Sequence, residues 1–386
     1  MGMTRDPRTI AVSQGIATDT AFGSVVPPLY LSSTFAFQGL GDQPRYEYSR
    51  AGNPTRDILG TTIAELEGGA GAVITASGTA AVDLFLSLLR PGDLVVAPHD
   101  CYGGTYRLLV ARQERGHFNV LFVDQGNDEQ VRAALAAKPK LMLIETPSNP
   151  LMRVVDIRAL TSRARDAGTR TAVDNTFLSP ALQRPLTMGA DFVIHSTTKY
   201  INGHSDVVGG AVVAADPADF EELSIWSNTV GVTCSPFDAH MTLRGVRTLF
   251  PRIKQQQHAA MLIAEFLNDH PAVGKVYYPG LASDPNHALA ASQQAGFGAM
   301  MSFELASDAA GRNQFVSSLG LFTLAESLGG IESLIAHPFS MTHRAMGEEA
   351  MGVAGITDRL FRLSIGLEFE GDLIDDLKQA LASMQS

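Results

Sequence analysis

The chain has 386 residues, 45% of them hydrophobic and 18% charged, which is enough apolar material for two or three folded domains and excludes a disordered polymer. Against 29 Lys and Arg stand 40 Asp and Glu, a formal net charge of −11 with no basic run, so no nucleic-acid or anionic-membrane partner is expected. Only Cys101 and Cys234 are present and no stretch approaches ~18 uninterrupted apolar residues, so the expectation is a cytoplasmic protein without disulfides or membrane spans that acts on small molecules.

In chain order, residues 1–60 are punctuated by Pro27, Pro28, Gly39, Gly41, Pro44, Gly52 and Pro54, which predicts a long irregular arm. Residues 61–250 alternate helical periodicity with short apolar runs, the pattern of a large α/β domain with a mostly parallel sheet. The predicted strands are Leu94–Pro98, Val120–Asp124, Leu141–Glu145, Thr171–Asp174, Phe192–Ser196 and Val207–Ala214. Between them Thr79–Leu89, Asp128–Ala137 and Arg158–Ala167 are predicted helices, the second opened by a capping-box pair, Asn127 and Gln130, and the third stopped at Gly168. Beyond residue 250, Ala259, Leu262, Ile263, Phe266 and Leu267 form one apolar helix face that runs to His270. That helix leads into a smaller C-terminal α+β domain, 251–386, with strands near Ala299–Leu305 and Leu360–Ile365.

The chemistry concentrates at predicted strand ends. Lys199 follows a strand and the hydroxyl-bearing run Ser196-Thr-Thr198, and precedes a Gly-rich turn. In open α/β sheets that edge is where ligands bind. A lysine there can form an imine with a cofactor aldehyde and afterwards move protons, while Ser196 and Thr198 can hydrogen-bond a phosphate. Asp174 ends the preceding predicted strand, where a carboxylate would keep the ring nitrogen of pyridoxal phosphate (PLP) protonated; a helix N-cap is an equally good reading of it. Ser77-Gly78-Thr79 opens a helix whose N-terminal amides suit a phosphate, although an ordinary turn has the same composition. Tyr102, in a Gly-rich loop, can stack on a pyridine ring or simply pack. Arg362 interrupts an apolar strand and needs an anion, which either a substrate carboxylate or a structural one would supply. His99, Asp100, Cys101, His204 and Asp206 lack the spacing of a zinc site, so no metal is expected. His195, His337 and His343 are expected to be satisfied polar groups.

Tyr48-Ser-Arg50-Ala-Gly-Asn-Pro-Thr55, Asp174-Asn-Thr176, the Lys199 segment and Leu324-Ala-Glu-Ser327-Leu-Gly-Gly330 together resemble the Cys/Met-metabolism family of PLP-dependent enzymes. The resemblance implies an aspartate-aminotransferase-like fold and a homotetramer, a dimer of dimers with active sites at the subunit interface. It implies that Tyr48 and Arg50 reach the cofactor phosphate of the neighbouring subunit, while Ser77, Gly78, Thr79, Ser196 and Thr198 hold it within the chain. It further implies that Asn149, Ser327, Arg362, Glu326 and Arg107 contact substrate, with Lys199 and Tyr102 catalytic. Within the family, Ala97-Pro-His-Asp-Cys-Tyr-Gly-Gly104, Val120-Leu-Phe-Val-Asp-Gln-Gly126 and Ser148-Asn-Pro-Leu-Met-Arg153 are most similar to the bacterial γ-synthase branch. Those enzymes join an O-acylhomoserine, O-succinyl-L-homoserine foremost, to L-cysteine. The γ-lyases, which share Gly103-Gly104 and Glu326-Ser327, are the alternative. One departure bears on the acyl group: Ala51 stands where those γ-synthases carry a second basic residue.

Overall fold

A computed structural model describes residues 5–384. Seven strands form the larger sheet: β1 Gly71–Thr75, β2 Leu94–Pro98, β3 Asn119–Val123, β4 Leu141–Glu145, β5 Arg170–Asp174, β6 Phe192–His195 and β7 Gly210–Ala214. Their order is β1-β7-β6-β5-β4-β2-β3, and β7 alone runs against its neighbours β1 and β6. Strands such as β4 are buried at every position, because helices cover both faces; this is why they appear in the sequence as mainly apolar runs without alternation.

The helices α1 Pro7–Ser13, α2 Pro54–Glu67, α3 Gly78–Leu86, α4 Gly103–Glu114, α5 Asp128–Ala136 and α6 Ile157–Asp166 precede or connect these strands. Leu59 and Ile63 of α2 are fully buried against β1 and β7, so α2 belongs to the packing of the sheet. The second sheet has the order β10-β11-β12-β9-β8, from β8 Val273–Tyr277, β9 Met300–Leu305, β10 Thr323–Leu324, β11 Leu334–Ala336 and β12 Leu360–Ser364. A long helix, Leu249–Asn268, packs Ala259, Ile263 and Leu267 into the core beneath it, with Leu262 and Phe266 half-buried beside them. Among the described residues no helix is long and apolar enough to cross a membrane.

Several elements differ from expectation. The arm is not wholly irregular: Asp6 caps α1 by accepting from the Arg8 amide at 2.8 Å, and Asn53 caps α2 by accepting from Thr55 and Arg56. Pro7 and Pro54 sit at the first helical position, where a missing N–H costs nothing and the fixed φ favours the helix, so these prolines start helices. Strand β1 was not expected, since only Ala72-Val-Ile74 is apolar between a glycine and a threonine. Strand β7 starts at Gly210, not Val207, because the Gly209 amide donates to the Thr198 hydroxyl at 3.0 Å. Helix α3 closes at Leu86, followed by turns through Leu89. At α5, Asn127 accepts from Glu129 and Gln130 as a cap should, but Gln130 Oε1 accepts from Asp124 instead of returning to Asn127.

Candidate active site

The carboxyl ends of β1, β2, β4, β5 and β6 lie on one edge of the large sheet, and the loops after them converge on a cavity of about 340 Å³. Ser77, Gly78, Thr79, Tyr102, Asn149, Asp174, Ser196, Thr198, Lys199, Glu326, Ser327 and Arg362 all line it. These residues come from both sheets and from positions almost 300 apart in the chain.

Lys199 is largely buried and its Nζ donates to Ser327 Oγ at 2.8 Å. Burial first, and the Arg362 guanidinium second, lower its pKa to about 8. The amine is therefore far easier to deprotonate than a surface lysine. Ser327 has a φ of +90°, a strained value for a residue with a side chain. That backbone turn lets one residue serve two cations, because its carbonyl also accepts from Arg362 Nη2 at 2.9 Å.

Arg362, on β12, is 3% exposed, and its other contact is Nη1 to Asn149 Oδ1 at 2.9 Å. Both acceptors are neutral, and no ion pair to Arg362 occurs among the described residues. A buried guanidinium without a carboxylate is costly, and its pKa is lowered to about 10, chiefly by that burial. The structural carboxylate that the sequence left open is therefore not there, and the cavity supplies the place for an external one.

The features needed for PLP fit this cavity. Ser77 caps α3 by accepting from Ala80, which leaves the first amides of the helix, those of Gly78 and Thr79, without intrahelical acceptors. A Cβ at Gly78 would stand 2.6 Å from Ser196 Cβ, so glycine keeps the floor of this cradle open to a phosphate. Thr198 Oγ1 is already engaged with the Gly209 backbone, donating to its carbonyl at 3.2 Å, and offers the phosphate less than Ser196 does. At the opposite end Asp174 Oδ1 accepts from the Thr176 amide at 3.0 Å. Burial raises its pKa, so a cationic partner such as a ring nitrogen would be strongly welcomed. Tyr102 lines the cavity and is 41% exposed.

Three predicted residues lie elsewhere. Tyr48 and Arg50 are on the arm, away from this cavity, with the guanidinium 5.4 Å above the Tyr48 ring and donating to Asn228 Oδ1 at 3.0 Å. Arg107 is on α4, exposed, and does not line the cavity. Sequence reasoning missed Glu145, Thr176 and Thr342, which do line it. For Glu145 the available signal was the same as for Asp174, an acid at the end of a predicted strand.

The other polar clusters are internally accounted for. Asp100 accepts from Ser148 at 2.8 Å and pairs with Arg153 at 2.9 Å, and His204 bonds the Asn202 carbonyl at 2.7 Å. His337 and His343 each find partners at both ring nitrogens. His195 departs from expectation: Nε2 meets buried Glu67 at 2.8 Å, but Nδ1 has no partner among the described residues. Burial and the nearby Arg362 lower the pKa of His343 to about 4, so it stays neutral.

Comparison with known proteins agrees with this geometry. The model of the Cys/Met metabolism PLP-dependent enzyme family matches residues 8–382. Cystathionine gamma-synthase of Escherichia coli is 54% identical over 97% of this chain and 98% of its own length. The crystal structure of cystathionine gamma synthase from Xanthomonas oryzae pv. oryzae in complex with cystathionine is 56% identical, with a TM-score of 0.98 over 99% of each chain. Cystathionine gamma-lyase of Bacillus subtilis is 43% identical over 98% of this chain and 99% of its own length. A family match over almost the whole chain, on a fold whose sheet edge gathers Lys199, Asp174 and the Ser77 to Thr79 helix start in one cavity, places this protein among the Cys/Met metabolism PLP-dependent enzymes, with pyridoxal phosphate as its cofactor.

Proposed function

We propose that the chain is a cystathionine γ-synthase, joining O-succinyl-L-homoserine and L-cysteine into L-cystathionine with release of succinate. The observation that carries amino-acid chemistry is the shared contact of Lys199 and Arg362 with Ser327, an amine-handling group beside a cation awaiting a carboxylate. Synthesis is favoured over cleavage because the γ-synthases noted above are 54% and 56% identical and the γ-lyase 43%.

Lys199, Asp174 and the Ser77 to Thr79 turn with Ser196 would hold the cofactor, which supplies an aldehyde for the substrate amine and an electron-accepting ring. Arg362 and Asn149 bind the substrate α-carboxylate and so orient the Cα–H bond toward Lys199. With a pKa near 8, Lys199 Nζ removes the Cα proton and then moves a proton at Cβ. The hydroxyl of Tyr102, a lining residue of the cavity, donates toward the departing γ-acyloxy oxygen. The Cγ–O bond breaks, the cysteine thiolate forms the Cγ–S bond, and the proton returns to Cα from Lys199. Glu326 lines the same cavity next to Ser327 in the chain. In this reading Arg107, exposed on α4 and outside the cavity lining, takes no part in the steps above.

The test compares initial rates of cystathionine formation from succinyl-, acetyl- and phosphohomoserine plus cysteine with 2-oxobutyrate release from cystathionine. Synthesis from the succinyl ester should dominate; faster 2-oxobutyrate release would make the enzyme a γ-lyase. Ala51 lines the groove that also contains Arg45 and Arg50, so a shift toward the acetyl ester would trace the missing second cation at position 51.

The functional unit is proposed to be a homotetramer in which Tyr48 and Arg50 complete the phosphate site of a second copy. Large apolar side chains on the arm support this: Phe22 is 95% exposed, and Leu31 and Leu40 also face outward. Mixing inactive Lys199→Ala and Arg50→Ala proteins after partial unfolding should restore activity, since a mixed dimer has one site with both residues intact. No recovery in confirmed mixed oligomers would place Arg50 outside the partner's site.

A further inference from the structure

We infer that Glu145 is a positioning residue that locks the Tyr102 loop and the Asn149 loop into one rigid wall of the cavity. The inference rests on the cofactor and carboxylate roles given above to those loops. Glu145 ends β4, is 8% exposed, and lies in register beside Asp174 of β5. Its two carboxyl oxygens serve two separate loops: Oε2 accepts from the Tyr102 amide at 2.9 Å, and Oε1 accepts from the Asn149 amide at 3.1 Å.

Neither loop has an equivalent anchor of its own at these amides. Tyr102 is the N-cap of α4 and makes no side-chain capping bond, and its own amide is held from outside the loop, by Glu145. On the other side of the same loop, a Cβ at Gly103 would stand 2.8 Å from the Thr342 carbonyl, so the loop is held between Glu145 and the C-terminal part of the chain. Asn149 is fixed in three directions: its amide to Glu145, its carbonyl to His343 Nε2 at 3.1 Å, and its Oδ1 to Arg362. A hydrogen-bonded path thus runs from Tyr102 through Glu145, Asn149, Arg362 and Ser327 to Lys199. Both burial and the neighbouring Asp174 raise the Glu145 carboxyl well above the usual carboxylate range, and either protonation state keeps an acceptor at each oxygen. Glutamine does not, because its NH₂ group would confront one of the two N–H donors.

The experiment compares purified holoenzyme of the wild type with Glu145→Gln. The readouts are visible circular dichroism of the cofactor band, normalised to bound cofactor, and the affinity for L-alanine, a carboxylate-bearing amino acid with no γ-substituent. The variant should keep the far-ultraviolet spectrum, lose about half of the visible dichroism and bind alanine on the order of tenfold more weakly. Wild-type values in both would overturn the inference, even if the melting temperature fell, since a merely structural residue would move only the latter. Should Glu145→Gln fail to fold, Glu145→Asp keeps two acceptors on a shorter arm. The same two readouts should then shift in the same direction, and unchanged values would again overturn the inference. Neither readout needs a γ-substituted substrate, so a failure of the γ-synthase reading leaves this result standing.

Discussion

Replacing Lys199 by alanine is expected to lower kcat/KM for γ-replacement by at least about 1,000-fold, the combined scale of a lost covalent anchor and a lost general base. The geometry makes the residue hard to replace. Its amine is held by Ser327 Oγ at 2.8 Å, is buried beside a second cation, and has a pKa lowered to about 8, so it is available in neutral form near physiological pH. Lys254 and Lys275, by contrast, lie on the distant long helix and on β8. Because Lys199 sits in a solvent-connected cavity, the alanine variant should still fold. Exogenous methylamine should restore part of the rate by supplying a base. Wild-type turnover by the variant would remove Lys199 from the mechanism altogether.

The second large effect is expected at Arg362. Losing a desolvated guanidinium–carboxylate pair costs about 2–5 kcal/mol, so Arg362→Leu should reduce kcat/KM on the order of 100-fold or more, expressed mainly as a higher KM. Arg362→Lys should recover little, since an ammonium cannot keep Asn149 and Ser327 bonded while presenting a planar fork to the substrate. Stability should move the other way. In the cofactor-free protein the guanidinium is buried against neutral acceptors only, so Arg362→Leu should melt no lower than the wild type. A variant that loses stability but keeps KM would show that Arg362 serves the fold and not the substrate.

The sequence revealed the central strands because burial on both faces leaves a simple mark. Leu94–Pro98 is an apolar run of five residues and Leu141–Glu145 one of four closed by a glutamate, and each is a five-residue strand in the protein. Strand β1 escaped notice since two of its five residues are glycine and alanine, and its pairing partner, β7, lies about 140 residues away. The two N-terminal helices were hidden by Pro7 and Pro54, which mark helix starts only when the cap residue before them is recognised.

Site residues were legible where a motif places the group and its support together. Lys199 is flanked by Ser196 and Thr198, and Ser77 by the helix it caps. Glu145 was not, because what it holds are two backbone amides, one 43 residues before it and one 4 after it, and no side-chain pattern records them. The positive φ of Ser327 is likewise invisible in a residue name. Tyr48 and Arg50 show the limit of one chain: on the arm their side chains meet each other, Arg50 also reaches Asn228 of the helix Pro217–Val230, and their proposed task lies on another copy.

The most direct test is chemical. Borohydride reduction of the holoenzyme followed by peptide mass spectrometry should find the phosphopyridoxyl group on the peptide containing Lys199, and on no peptide of the Lys199→Ala protein. Quantitative labelling of any other lysine would contradict the site described.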